Sequence, residues 1–253
     1  MGALLLALLL AADDPAGLYQ DGLRLFSSGQ PEAAIAAFRK SVAVRPNDAA
    51  AWKALGVVYA SRNDYAQAEQ PFHRACLLDF KLADACLYYG RALYLLDHFD
   101  QAASVLQTLI HGDPHNGQAY RIEAMALEAT GKIADAESAF QQAIRFDTTP
   151  PLNEDPAIDY GVFLYRQGRS EAAVEPLNAA VKRHPDSARA QLELGCVLLA
   201  LDRVADAAQH LERATSADSV NARAHLLLGK AYQRLGKTDL ARKELDQGSR
   251  TVK

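Results

Sequence analysis

The chain has 253 residues, 49% of them hydrophobic and 23% charged, which is enough apolar material for a large buried core. Its formal net charge of −4 gives no general attraction to nucleic acid. The three cysteines show neither CxxC nor zinc-ligand spacing, and their odd number argues against a disulfide framework. Cys76, Cys86 and Cys196 are therefore expected to be small buried hydrophobes on helices.

The chain opens with "MGALLLALLLAA", in which Ala3 to Ala12 form an uninterrupted apolar run of ten. At about 1.5 Å per residue this run is too short to span a hydrocarbon core of roughly 30 Å. It does suit the apolar core of a secretory signal, ending in Ala11-Ala12 before acidic Asp13-Asp14. No Lys or Arg precedes it. The expectation is export to a periplasmic or extracellular space, with the mature chain starting near Asp13. The alternative is a cytoplasmic protein whose residues 1–12 form a helix covering the first structural unit of the chain. No membrane span is expected.

From Gly22 onward the sequence obeys a period of 34 residues. Gly22, Gly56, Gly90 and Ala124 are followed, after a shift of three residues, by Gly161, Gly195 and Gly229. A second series is alanine throughout: Ala34, Ala68, Ala102, Ala136, Ala173, Ala207 and Ala241. A third is large and apolar: Phe38, Phe72, Leu106, Phe140, Leu177, Leu211 and Leu245. Glycine inside a helix costs about 1 kcal/mol relative to alanine, so a repeated glycine needs a repeated packing reason. Two helices crossing closely at the small residues supply one. Each unit then reads as helix A, a turn and helix B, and neighbouring units must stack because one hairpin cannot cover its own apolar face.

The turn has its own series. Seven residues beyond each packing position stand Gly29, Asn63, Asp97, Gly131, Gly168, Asp202 and Gly236, the residue types that tolerate a left-handed helix cap. Pro71 and Pro176 fall within helix B and predict a modest kink near its start. "FDTTPPLNEDP" (Phe146 to Pro156) carries the three extra residues and reads as a stiff connector.

In the second unit Trp52, Leu55, Gly56, Tyr59, Ala68, Phe72 and Ala75 occur in the order of the tetratricopeptide-repeat signature. The chain resembles a tandem array of seven such repeats, near 15–48, 49–82, 83–116, 117–150, 154–187, 188–221 and 222–253. Trp52 gives way to Leu18, Cys86, Tyr120, Ala157, Gln191 and His225 in the other copies. The resemblance implies an all-α fold, a right-handed α-solenoid superhelix of helix-turn-helix repeats. It also implies a concave face, lined by the A helices, that holds segments of partner proteins.

On that implied face, the residues three before and one after each packing position carry only positive charges: Lys53, Arg91, Arg121 and Lys230. The row four residues after it adds Tyr94 and Tyr165. These six residues form the expected peptide-binding groove, with Arg91, Tyr94 and Arg121 at its centre, both arginines exposed, and Lys53 flanking it. The partner they suit is a protein segment with hydrophobic anchors and carboxylates. The Lys and Asn clamp with which some members grip chaperone tails is not matched, since Tyr19 and Leu23 stand where it would begin.

Chemistry is not expected. "AYQRLGKT" ends like a phosphate-binding loop, but a helix precedes it, Ala231 replaces the first glycine, and the same turn recurs in every unit. His111 and His115 flank a proline turn and have no third ligand nearby. The reading is a non-catalytic interaction scaffold with no cofactor or metal. A self-assembling homo-oligomer is the alternative, and an enzyme accessory subunit a distant third.

Overall fold

The computed structural model describes residues 15–79, 83–146 and 154–250. The apolar segment 1–12 lies outside the described residues, as does 147–153, the centre of the proline-containing connector. The described residues form fourteen α-helices and no strand. Two compact units divide after Pro114. The first contains α1 (Pro15–Ser27), α2 (Pro31–Val44), α3 (Ala49–Ser61), α4 (Tyr65–Leu78), α5 (Ala83–Leu95) and α6 (Phe99–Gly112). The second contains α7 (Gly117–Ala129), α8 (Ile133–Phe146), α9 (Pro156–Arg166) and α10 (Ser170–Arg183), then α11 (Ala188–Ala200), α12 (Val204–Ala217), α13 (Ala222–Arg234) and α14 (Thr238–Arg250). Within each unit, every odd-numbered helix packs on the helix after it, and that helix packs on the next. The fold is an α-solenoid of helical hairpins.

Each hairpin turn is built the same way. Gly29, Asn63, Asp97, Gly131, Gly168, Asp202 and Gly236 all have φ between 58° and 76°. Beside them, two backbone hydrogen bonds close the end of helix A. In the second repeat Asn63 N–H donates to the Ala60 carbonyl (2.9 Å) and Asp64 N–H to the Tyr59 carbonyl (3.0 Å). The equivalent pair recurs in all seven turns, satisfying carbonyls that the helix end would otherwise leave open. "RLGKT" is the last of them: Lys237 N–H bonds the Tyr232 carbonyl and its ammonium lies over the Tyr232 ring.

The glycine series is explained by side chains more than by backbone approach. A Cβ on Gly56 would lie 2.6 Å from the Phe72 ring. Gly22 meets Phe38 and Gly90 meets Leu106 at the same 2.6 Å, and Gly161, Gly195 and Gly229 meet Leu177, Leu211 and Leu245 at 2.5–2.7 Å. Beside Gly195 and Gly229 a backbone carbonyl, that of Ala207 or Ala241, also comes within 3.3 Å, farther than the leucine side chain in each case. The alanine series is at most 2% exposed, so helix B presents its large side chain directly into the space the glycine leaves.

Starts of the A helices are fastened by side chains that the period alone does not reveal. Asp48, Asn116, Ser187 and Asn221 each accept from the backbone N–H three residues on, at 3.0–3.2 Å. Such caps contribute about 1 kcal/mol each. A second fastening falls at the Trp52 position. Trp52 Nε1 donates to the Pro46 carbonyl (2.8 Å), Gln191 Nε2 to the Pro185 carbonyl (2.7 Å), and His225 Nε2 lies 3.1 Å from the Ser219 carbonyl. Three unlike side chains thus tie an A helix to the loop six residues before it.

In the third repeat the same position is Cys86, and it is joined to Cys76 by a disulfide. This corrects the expectation of reduced thiols: of the three cysteines only Cys196 is free. The cause is the fold, which brings the first turn of α5 against the end of α4. Pro71 does not break α4, which runs on through it; the proline falls past the first turn, so the Gln67 carbonyl loses its usual donor.

Gly56→Leu should lower stability by about 1–3 kcal/mol or more, because neither helix of the pair can yield without opening the hairpin. An unchanged midpoint in urea unfolding would contradict this packing.

Candidate partner-binding cleft

The A-helix face of the first unit contains a cleft of about 250 Å³ between α3 and α5, backed by α4. Val57 and Ala60 line it from α3, Tyr65 and Phe72 from α4, and Tyr88 and Arg91 from α5. Helical spacing explains the set. Val57 and Ala60 lie one turn apart on one face of α3, and Tyr88 and Arg91 do the same on α5. Tyr88 is held by Phe72, with ring centroids 5.4 Å apart, and one residue on, Tyr89 stacks on His73 at 4.8 Å. Burial raises the Tyr89 hydroxyl pKa, with a further push from the Glu69 charge.

The structure distributes the six expected groove residues unequally. Arg91 is exposed and stands at the cleft. Tyr94 is half-buried, its ring tilted against Phe99 of α6 at 5.6 Å. Lys53 donates to Asp84 on α5 at 2.8 Å, with only a quarter of its side chain (25%) exposed, so it bridges two repeats. In the second unit Lys230 is exposed on α13. Tyr165 is half-buried, and its hydroxyl pKa is raised first by the Cys196 thiol beside it and then by burial.

Arg121 corrects the expectation most clearly. It is 8% exposed, and its Nε donates to Asp159 Oδ2 at 2.5 Å. The other oxygen of Asp159 accepts from Arg189, while Arg121 also reaches Glu154 at 3.4 Å. One helical turn earlier, fully buried Asp155 pairs with Arg183 at 2.5 Å and caps α9 through Ala157 N–H at 2.9 Å. Arg223 then grips Glu193 through two bonds of 2.6 and 3.1 Å. These pairs fasten α7, α9, α10, α11 and α13 to their neighbours, so the cation on α7 serves the array itself. Asp155 and Asp159, four residues apart on one helix face, were the visible sign of a buried acidic edge. Their partners lie 28 to 38 residues away in sequence and could not be matched without the fold.

The histidine pair separates into local contacts: His111 Nδ1 lies 2.7 Å from the Gln107 carbonyl, and His115 meets the edge of the Phe146 ring at 4.9 Å.

A repeating helical hairpin with caps and clasps defines a repeat protein, and comparison with known proteins gives the family. The profile described as "Cytochrome c-type biogenesis protein H TPR domain" matches residues 26–147. A general tetratricopeptide-repeat profile matches 161–219 and 192–250. The chain belongs to the tetratricopeptide-repeat family. BBSome complex member BBS4 of Mus musculus is 26% identical over 157 residues, covering 60% of this chain and 29% of that protein. Intraflagellar transport protein 70A of Bos taurus is 24% identical over 140 residues, covering 54% and 21%. The chain thus spans less than a third of the length of these curated relatives. Among solved structures, a tetratricopeptide-repeat protein from Parabacteroides merdae superposes with a TM-score of 0.72 at 12% identity, covering 94% of this chain and 93% of that one. YrrB, described as a TPR protein with an unusual peptide-binding site, gives 0.55 at 18% identity over 71% and 91%. MamA from Desulfovibrio magneticus RS-1 gives 0.59 at 21% identity over 68% and 96%. Among the described residues no helix is long and apolar enough to cross a membrane.

Arg121→Ala should cost about 3–5 kcal/mol, the range for breaking a buried pair, and towards its lower end because Arg189 still neutralises Asp159. Arg91→Ala, at an exposed position, should change stability by about 0.5 kcal/mol or less. Equal midpoints for the two variants in chemical denaturation would refute the assignment of one arginine to the core and the other to the surface.

Proposed function

We propose that the chain is a non-catalytic scaffold that holds a segment of a partner protein against the A-helix face of its first unit. The observation that carries this reading is the cleft between α3 and α5, apolar and aromatic, with Arg91 beside it. Isolated apolar side chains on a surface need no explanation, but a walled apolar concavity does. The relatives support the reading through their names: BBS4 is a complex member, and YrrB carries a peptide-binding site. A photo-crosslinking residue placed at Ala60 in the native host should capture a discrete protein. The same residue at exposed Lys40, on α2, should not capture it, and Val57→Arg should reduce capture. Identical products from both positions, or none at Ala60, would overturn the reading.

We also propose that the protein works in an oxidising compartment. The disulfide between Cys76 and Cys86 supports this, since such bonds persist outside reducing cytosol. The signal-like composition of residues 1–12 points the same way. Acid-quenched alkylation of protein from the native host should find Cys76 and Cys86 blocked and Cys196 modified. Alkylation of all three would refute export.

A further inference from the structure

We infer that His225 is a proton-operated clasp on the last repeat: its two contacts close together only while both ring nitrogens are protonated, so acid fastens the start of α13 and a rise in pH loosens it. His225 Nδ1 lies 2.7 Å from Glu244 Oε2 on α14, and Nε2 lies 3.1 Å from the Ser219 carbonyl in the loop before α13. A carbonyl and an ionised carboxylate can only accept, and a neutral imidazole has one N–H. With one ring proton, one of the two contacts sets a lone pair against an oxygen. The closed clasp therefore holds one proton more than neutral histidine beside ionised glutamate. Ordinary basicities, about 6.5 for imidazole against about 4.3 for a glutamate, put that proton on the ring. The two side chains are only 6% and 13% exposed, so water is poorly placed to replace a lost contact.

The sixth repeat builds the same clasp without this demand. Gln191 stands at the His225 position, and its partners again lie six residues before and 19 residues after it. Its Nε2 donates to the Pro185 carbonyl at 2.7 Å, and its Oε1 accepts from His210 Nδ1 at 2.7 Å. An amide has a donor at one end and an acceptor at the other, so a neutral His210 completes this clasp. Burial, and then the Arg213 charge, lower the His210 pKa, in keeping with a single ring proton. In the second repeat Trp52 gives its one N–H to the Pro46 carbonyl, and 19 residues further on stands Pro71, which asks for no proton. Of these three clasps only that of His225 meets an acceptor on both sides.

The charges that neighbouring elements bring favour the protonated ring. α14 brings Glu244, with Arg242 and Lys243 exposed beside it. α12 brings Glu212, which accepts from the Tyr232 hydroxyl at 2.7 Å, and exposed Arg213. Burial, then Glu212 and Glu244, push the Tyr232 pKa up to about 12, which marks this side of the hairpin as acidic. The loop brings Asp218, bonded to Val220 N–H and the Asn221 amide at 3.3 Å. On the hairpin itself Arg223 is committed to Glu193 and Lys237 lies over the Tyr232 ring. Because the folded clasp binds the extra proton, its contribution is present at low pH and is lost as the pH rises.

The test uses the full chain at about pH 5.5 and about pH 8.5, either side of the ordinary imidazole value of about 6.5. Amide protection factors divide out the intrinsic pH dependence of exchange. Those of 219–224 should fall by about tenfold or more at the higher pH, as expected for leaving one buried contact unmade. Those of 186–190, the same stretch of the sixth repeat, should not follow. Ring nitrogen-15 spectra should show both His225 nitrogens protonated at the lower pH. Glu244→Gln should abolish the pH response, because the new amide can donate to Nδ1 while Nε2–H keeps the Ser219 carbonyl. If that variant does not fold, His225→Gln, copying the sixth repeat, replaces it with the same expectation. The inference falls if 219–224 and 186–190 respond alike to pH, or if neither responds. It falls equally if one His225 nitrogen is bare at the lower pH, or if the folded variant keeps the wild-type response.

Discussion

Every hairpin in this protein closes on one steric constraint: a residue with little or no side chain on helix A lies beneath a large apolar side chain on helix B. The pairs Gly56–Phe72, Gly90–Leu106 and Gly195–Leu211 show the same contact with different chemistry on top. In the six hairpins with glycine at this position a Cβ would fall within 2.7 Å of the ring or leucine, so the gap sets how closely the two helices approach and which face of each looks inward; Ala124 is the small residue of the fourth. Once the inward faces are set, the remaining apolar residues can meet only the next hairpin. The large B-helix side chains from Phe38 to Leu211 are accordingly buried almost completely, at 0–2% exposure.

Fastenings between hairpins are far less uniform than the hairpins themselves. At the Trp52 position an indole, an amide, an imidazole and a disulfide all connect an A helix to the chain just before it. What matters there is a tie of the right reach, and several side chains provide one. The inter-repeat charges behave alike. Lys53–Asp84, Arg121–Asp159 and Arg223–Glu193 differ in residue and register, yet each joins one A helix to the next. The cost of burying such charges is offset only when each has its partner, which is why Asp159 sits between two arginines.

These ties bear directly on function. A scaffold can present a cleft only if the helices on either side keep their spacing. In the first unit α3, α4 and α5 are held by aromatic packing, an ion pair and a covalent bond around one small apolar concavity. Tyr88 and Arg91, which line it from α5, are thereby carried on a helix that is fixed at its start.

The sequence by itself determined the repeat. The glycine, alanine and large-apolar series identify both helices of each hairpin, and the Gly, Asn or Asp series identifies the left-handed residue of all seven turns. These are local constraints, legible because neighbouring helices are joined by a short turn and their contacts recur at a constant separation in the chain. Only the tertiary structure decided which of the basic residues are buried in the array and which lie at its surface. Arg91 and Arg121 occupy related rows and look alike in sequence, yet one stands at a cleft and the other is buried on Asp159. The fold likewise joined Cys76 to Cys86 in a spacing that signalled nothing. A charge or thiol is committed by whatever the neighbouring repeat places opposite it, and that opposition depends on three-dimensional register, which a linear period does not contain.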